Sequence, residues 1–131
     1  MKKYRNKKVT IDGIVFDSTR EARRYQELKL LQKAGKIESL ELQKVFELIP
    51  SQWETIDTGE CYKRGPKKGQ PKIKEKCIER AVTYKADFAY IKGGRLIVED
   101  AKGYKGGGAY TVFKIKRKLL LWRYGIKIRE V

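Results

Sequence analysis

The stretch that most restricts how this chain can fold runs from Tyr84 to Lys102, where two β-forming runs flank Lys92-Gly93-Gly94-Arg95. A two-residue glycine turn sets the register of a hairpin, because partners across it keep one constant sum of residue numbers. With Gly93 and Gly94 as the turn, Ile91 faces Leu96, Ala89 faces Val98, Asp87 faces Asp100 and Lys85 faces Lys102. Side chains alternate along a strand, so Asp87, Asp100 and Lys102 share one face and Glu99 points to the other. A three-residue turn would separate the two aspartates.

Acids in apolar strands need a reason, since burying them unpaired is costly. Two carboxylates facing each other with Cβ atoms about 5 Å apart repel. A divalent cation removes that repulsion, and hard oxygen ligands at this spacing suit Mg²⁺ or Mn²⁺. Lys102, extending from the same face, is placed to steady a phosphate oxygen or to activate water. The structural alternative is a salt-bridge cluster in which Lys85 and Lys102 simply neutralise the two acids.

The rest of the chain supplies the setting. Asp12-Gly13 between Val9–Ile11 and Ile14–Phe16 signals an N-terminal β-hairpin. Residues 18–34 read as a helix, with Ser18 as N-cap, Glu21 at capping-box spacing, Ala22, Tyr25, Leu28 and Leu31 recurring, and Gly35 as the stop. Residues 36–50 are strand-like around Val45 to Ile49. Residues 51–72, with Gly59, Gly65, Pro66, Gly69 and Pro71, read as a basic hairpin tip or partly disordered loop. Residues 73–91 read as one long strand, and Leu96–Ala101 as another.

After a glycine-rich loop at 103–108, residues 110–124 predict a second helix with Val112, Ile115, Leu119 and Trp122 on one face. Ile126 to Val131 alternates as an edge or half-buried strand does. The expected order is hairpin, α, β, β, β, α, β, an α/β (α+β) arrangement. The helical crossover before the last strand permits parallel pairing, hence a mixed β-sheet flanked by helices. At 131 residues the chain is expected to form a single domain over 1–131, opening with a basic arm and hairpin over 1–17.

Charge points to the partner. Lys and Arg total 32 against 16 Asp and Glu, a net charge of +16. Five basic residues lie within 2–8, six within 61–74 and nine within 101–129, with no acid in any of these runs. Concentrated like charge destabilises a small fold unless a polyanion binds it, and nucleic acid is the first candidate. Histidine is absent, which excludes Ser-His-Asp, Cys-His and histidine-base chemistry. Cys61 and Cys77 are half of a structural zinc site and read as two reduced thiols of a cytoplasmic protein. No run is long enough for a membrane span and no apolar stretch follows the basic N-terminus as in a secretory signal.

Asp87, then twelve residues, then Asp100-Ala101-Lys102 resembles the PD-(D/E)xK nuclease superfamily, which includes restriction endonucleases and Holliday-junction resolvases. Phe16-Asp17-Ser18, Glu21-Ala22-Arg23-Arg24-Tyr25 and Tyr84-Lys85-Ala86-Asp87-Phe88 look like a small phage-encoded family within it. Ala86 stands where the nominal motif has proline. The resemblance implies a restriction-endonuclease-like αβββαβ core. It also implies catalysis by Asp87, Asp100 and Lys102, with Glu21 on the first helix as an accessory ligand to Mg²⁺ (or Mn²⁺). Glu21 closing the capping box with Ser18 is the competing reading, and Glu99 would substitute as a ligand if the register slipped.

The expectation is therefore a Mg²⁺-dependent endodeoxyribonuclease, without a nucleotide cofactor, leaving 5′-phosphate and 3′-hydroxyl ends. The small size favours structure-selective cutting of branched DNA such as a Holliday junction, in phage recombination or DNA processing. Symmetric cutting there needs two sites, hence a homodimer. DNA contacts are expected from Lys2, Lys3 and Arg5 in the arm, from Lys63, Arg64, Lys67 and Lys68 in a gripping finger at 61–74, and from Lys105, Lys114 and Lys116. Tyr104 and Tyr110 are expected to pack on the core, with base stacking as the other role. The competing functions are a non-catalytic nucleic-acid-binding module and a sequence-specific restriction-type nuclease.

Overall fold

A computed structural model describes residues 7–102 and 105–131. The basic arm residues Lys2, Lys3 and Arg5, and Tyr104 of the glycine loop, lie outside them. The described chain is α+β, mostly strands with two helices. It divides into two compact units, one of residues up to Phe46 together with Tyr84–Val131, the other Glu47–Thr83.

The first unit opens on the expected hairpin, β1 (Val9–Ile11) and β2 (Ile14–Phe16). Val9 pairs with Phe16 and Ile11 with Ile14. Asp12 and Gly13 take φ of 53° and 75°, the left-handed pair that a tight turn of this hand requires. Helix α1 (Thr19–Lys33) follows, its N-terminus capped by the Ser18 hydroxyl accepting from the Glu21 N–H at 3.1 Å. Its other end closes as a Schellman motif. Gly35, at φ 76°, donates its N–H to the Gln32 carbonyl, and the Lys36 N–H reaches back to Leu31. Ala22, Tyr25 and Leu28 of α1 pack with Phe16, Ile37, Phe88 and Tyr90 in a buried cluster.

The sheet carries β3 (Glu38–Ile49), β6 (Val82–Lys92), β7 (Arg95–Asp100) and β8 (Ile128–Glu130), in the order β3-β6-β7-β8. β6 and β7 are antiparallel, with Ile91 opposite Leu96, Ala89 opposite Val98 and Phe88 opposite Glu99. That is the register of the two-residue glycine turn, with Gly93 and Gly94 both at positive φ. β7 and β8 are parallel, so the sheet is mixed and β8 is an edge strand.

The strand boundaries between 51 and 91 are corrected. The long strand expected over 73–91 is two strands, β5 (Pro71–Glu79) and β6, interrupted at Arg80 and Ala81. β5 pairs with β4 (Gln52–Cys61) in an antiparallel ribbon, so most of the expected loop at 51–72 is strand. Almost every side chain of this ribbon is exposed or half-buried, so it needs no apolar alternation, and the period that marks a strand is missing from its sequence. Cys61 and Cys77, both on the ribbon, are free thiols.

The second helix is α2 (Gly107–Tyr124). Its buried residues are Phe113 and Leu120, while Val112, Ile115 and Trp122 are exposed, Trp122 to 79 %. The helix bears two apolar stripes offset by one residue. Packing on the sheet chooses between them, since the Phe113 ring lies 6.1 Å from Tyr84 of β6. Among the described residues no helix is long and apolar enough to cross a membrane.

Candidate active site

Asp87 and Asp100 stand one step beyond the last ladder pair of β6 and β7, Phe88 opposite Glu99. There the backbone is no longer committed to the ladder. The Ala101 N–H donates instead to Asp87 Oδ2 at 2.8 Å. The β8 end secures the same segment, with the Val131 N–H donating to the Asp100 carbonyl at 2.9 Å and the Lys102 N–H to the Val131 carbonyl at 3.2 Å. Asp100 is buried, and its Oδ2 accepts from the Tyr84 hydroxyl at 2.6 Å. The stacked rings of Phe46 and Tyr84, 6.4 Å apart, hold that tyrosine in place.

Lys102 Nζ lies 3.2 Å from Asp100 Oδ1 and 4.0 Å from the centre of the Phe113 ring. The ring face and the carboxylate together confine the ammonium group. Lys85, the other lysine of the hairpin, is exposed. Of the two lysines set against the acids by register, Lys102 is the one at Asp100.

Glu21 comes to this end from α1. Its backbone N–H makes the helix cap, which leaves the carboxylate free of that task. Glu21 Oε1 accepts from Gln43 Nε2 at 3.3 Å, and the same amide reaches Asp87 Oδ1 at 3.5 Å. Gln43 itself sits at φ 55°, the left-handed region that costs a non-glycine residue of order 1 kcal/mol or more. Strain is thus located at the residue that links the helix acid to the strand acid.

Electrostatics sets this cluster apart. Burial pushes the Asp87 carboxyl from 3.8 up to about 8, helped by its proton-sharing contact with Asp100, the charge of Asp100 and that of Glu21, against the opposing Ala101 N–H. Burial also raises Glu21, with Asp17 and Asp100 adding repulsion. Tyr84 is raised by burial and by the Asp100 carboxylate it faces. Asp87 and Glu21 therefore both hold a proton more readily than a free carboxyl does, and Lys102 pairs with Asp100.

Glu99, the alternative ligand, is committed elsewhere. It is fully buried and receives two hydrogen bonds from Arg24 of α1, Nε to Oε1 and Nη2 to Oε2, each 2.7 Å. The Tyr90 hydroxyl donates to it as well. Burial alone would raise its pKa, but the bonds from Arg24 and Tyr90 outweigh burial and hold it below the ordinary value.

The expected DNA contacts separate by location. Lys63, Arg64, Lys67 and Lys68 are exposed at the tip of the β4–β5 ribbon. Lys105 pairs with Glu130 at 3.3 Å, Lys114 lies over the Tyr110 ring at 5.6 Å, and Lys116 is half-buried on α2. Tyr110 packs on Phe113 and donates to Glu130 at 3.0 Å, which is a structural role. Sequence reasoning missed Gln43, Tyr84 and Asp17. Tyr84 stood beside Lys85 in the quoted motif, but its hydroxyl contact depends on the aromatic packing. Nothing in the sequence marks Gln43.

An all-oxygen donor set of Asp87, Asp100 and Glu21 suits a hard cation, although no group of three or more Asp, Glu, Cys or His among the described residues is gathered at ligating spacing. No curated protein and no solved structure matches the chain. A family model matches residues 1–130, and the chain belongs to that family, protein of unknown function DUF1064.

Proposed function

We propose that this protein is a metal-dependent DNA endonuclease with a PD-(D/E)xK-type core. The observation that carries the reading is the placing of Asp87 and Asp100 just past the last ladder pair of β6 and β7, with the Ala101 N–H on Asp87 and Lys102 Nζ 3.2 Å from Asp100 Oδ1. The element order supports it. With the β4–β5 ribbon set aside, α1, β3, β6, β7, α2 and β8 follow the αβββαβ sequence of that superfamily.

The residues present fit Mg²⁺ or Mn²⁺. Their oxygens are hard donors, and the carboxylates of Asp87 and Glu21 are bridged by the one Gln43 amide, at 3.5 and 3.3 Å. Asp87 and Asp100 would hold the ion, with Glu21 as the third acid. Bound there, the ion supplies Lewis-acid polarisation of a phosphodiester and a water of lowered pKa. Lys102 orients a phosphate oxygen or the attacking water, its position held by the Phe113 ring. Tyr84 and the Ala101 N–H fix the rotamers of Asp100 and Asp87. The net charge of +16 draws the DNA backbone toward these acids.

Branched DNA is the preferred substrate in this reading, cut by two copies acting together. The test is incubation with Mg²⁺ and matched linear, single-stranded, flap and four-way-junction DNAs, beside Asp100→Asn and an EDTA control. The expected result is cleavage of the junction by the wild type alone, abolished by EDTA. Cleavage that Asp100→Asn or EDTA leaves untouched defeats the mechanism, and binding of every DNA with no cleavage favours the non-catalytic module.

A further inference from the structure

The β4–β5 ribbon is charged in two opposite ways along its length. Its shaft, residues 52–61 and 73–79, carries five acids, Glu54, Asp57, Glu60, Glu75 and Glu79, against two lysines, Lys74 and Lys76. Its tip, residues 62–72, carries Lys63, Arg64, Lys67, Lys68 and Lys72 and no acid. The ten residues of β4 set the tip roughly 30 Å from the start of the shaft, at ~3.3 Å per residue.

The tip is built as two successive turns. The Lys68 N–H donates to the Gly65 carbonyl at 3.1 Å, with Pro66 at the corner where its fixed φ suits a β-turn. The Gln70 N–H donates to the Lys67 carbonyl at 2.9 Å, and Gly69 supplies the positive φ of 83° within that turn. Tyr62 closes the base, its N–H bonded to the Gln70 carbonyl and its carbonyl accepting from the Gly69 N–H. Its ring lies 5.9 Å from Lys67 Nζ and 5.6 Å from Lys72 Nζ. These turns and the ring hold like charges together without an acid between them, an arrangement that a polyanion stabilises.

We infer that this tip is a separate phosphate-backbone clamp for duplex DNA, and that the acidic shaft keeps the backbone from lying along the ribbon. The identification of the polyanion as DNA rests on the nuclease reading. Duplex is favoured over a single strand because it carries one phosphate per ~1.7 Å of axis, the density that a compact group of cations matches best. A membrane surface is disfavoured because residues 63–72 contain no bulky apolar side chain to enter it. In this reading the ribbon tip supplies grip and the Asp87–Asp100–Lys102 group supplies chemistry, from different stretches of the chain.

The test compares two pairs of substitutions that remove the same charge from different places. Binding of a labelled 30-base-pair duplex is measured in EDTA across a salt series, for Lys67→Ala/Lys68→Ala at the tip and Lys74→Ala/Lys76→Ala on the shaft. Each lost phosphate contact flattens the log-affinity against log-salt slope by about 0.9, so the tip pair should flatten it by about 1.8 and the shaft pair by little. Lys63→Ala/Arg64→Ala, just before the two turns, should behave as the tip pair does, and thermal melts establish that each variant is folded. A wild-type slope for both tip pairs overturns the inference, and so does equal flattening by tip and shaft. Tip-dependent binding to phosphatidylserine vesicles without binding to duplex also overturns it. Because these measurements need no cleavage, tip-dependent binding by a protein that cuts nothing in Mg²⁺ keeps the clamp and defeats the nuclease reading. Cleavage by a protein whose tip variants keep the wild-type slope does the reverse.

Discussion

Glu99 and Asp100 are neighbours on β7, both buried, yet the fold treats them in opposite ways. Glu99 faces α1 and meets a two-pronged guanidinium and a phenol, so its charge is welcome and its pKa falls. Asp100 lies against another carboxylate, Asp87, whose proton affinity rises, and against a single lysine. One side of the strand is an ion pair whose hydrogen bonds are met within the protein. The other retains negative charge that the protein answers only in part. Strands alternate their faces, so adjacent residues can serve stability and chemistry without sharing an environment.

The largest test of this contrast is Asp100→Asn. It should lower cleavage by about four orders of magnitude, about 5.4 kcal/mol of barrier, while the melting temperature stays level or rises as repulsion is relieved. Loss of folding instead would make Asp100 another structural acid like Glu99.

Arg24→Ala should destabilise by about 3–5 kcal/mol in urea unfolding, because it leaves the fully buried Glu99 charge without its partner. Arg24→Ala together with Glu99→Gln should recover much of that loss. If the single variant costs under 1 kcal/mol, the contrast fails on the Glu99 side.

The two acids also predict opposite pH slopes for the metal-free protein. Asp87 is raised on folding, so the folded state keeps a proton that the unfolded chain releases near pH 4. That contribution is fully present below about pH 4 and is lost as pH climbs through about 8. Allowing for water at a half-buried site, the loss should amount to about 2 kcal/mol. Glu99 is lowered, so its contribution is present above the ordinary carboxylate range and is lost as pH falls below it. Melts in EDTA from pH 3 to 9 should show both limbs. Asp87→Asn should flatten the alkaline limb and leave the acid limb.

The smallest effect is expected from Tyr90→Phe, about 1.5 kcal/mol for a hydrogen bond to a charged group, with cleavage unchanged. Tyr84→Phe should instead alter activity more than stability, since its hydroxyl orients Asp100. Equal behaviour of the two phenol deletions would erase the distinction between the faces.

Much of this was legible locally. The Gly93-Gly94 turn dictated the β6–β7 register, and that register alone placed Asp87 opposite Asp100 and turned Glu99 away. Asp12-Gly13, Ser18 and Gly35 marked the first hairpin and both ends of α1 because turns and caps are decided by a few neighbouring residues. The β4 strand was illegible because a ribbon exposed on both faces needs no apolar alternation. The buried side of α2 was not legible because two apolar stripes compete on one helix, and the packing of Phe113 against Tyr84 of β6 selects between them.

Sequence by itself thus determined the element order around the site, the register of the two aspartates and the placing of basic charge, all consequences of turn chemistry, alternation and composition. Tertiary structure alone decided that Arg24 secures Glu99 and that Gln43 links Glu21 to Asp87, contacts made across 75 and up to 44 residues of chain. The physical reason is range. Turns and caps act over a few residues, whereas the pairing of buried charges depends on which helix face the sheet accepts, and that choice is made by packing over the whole core.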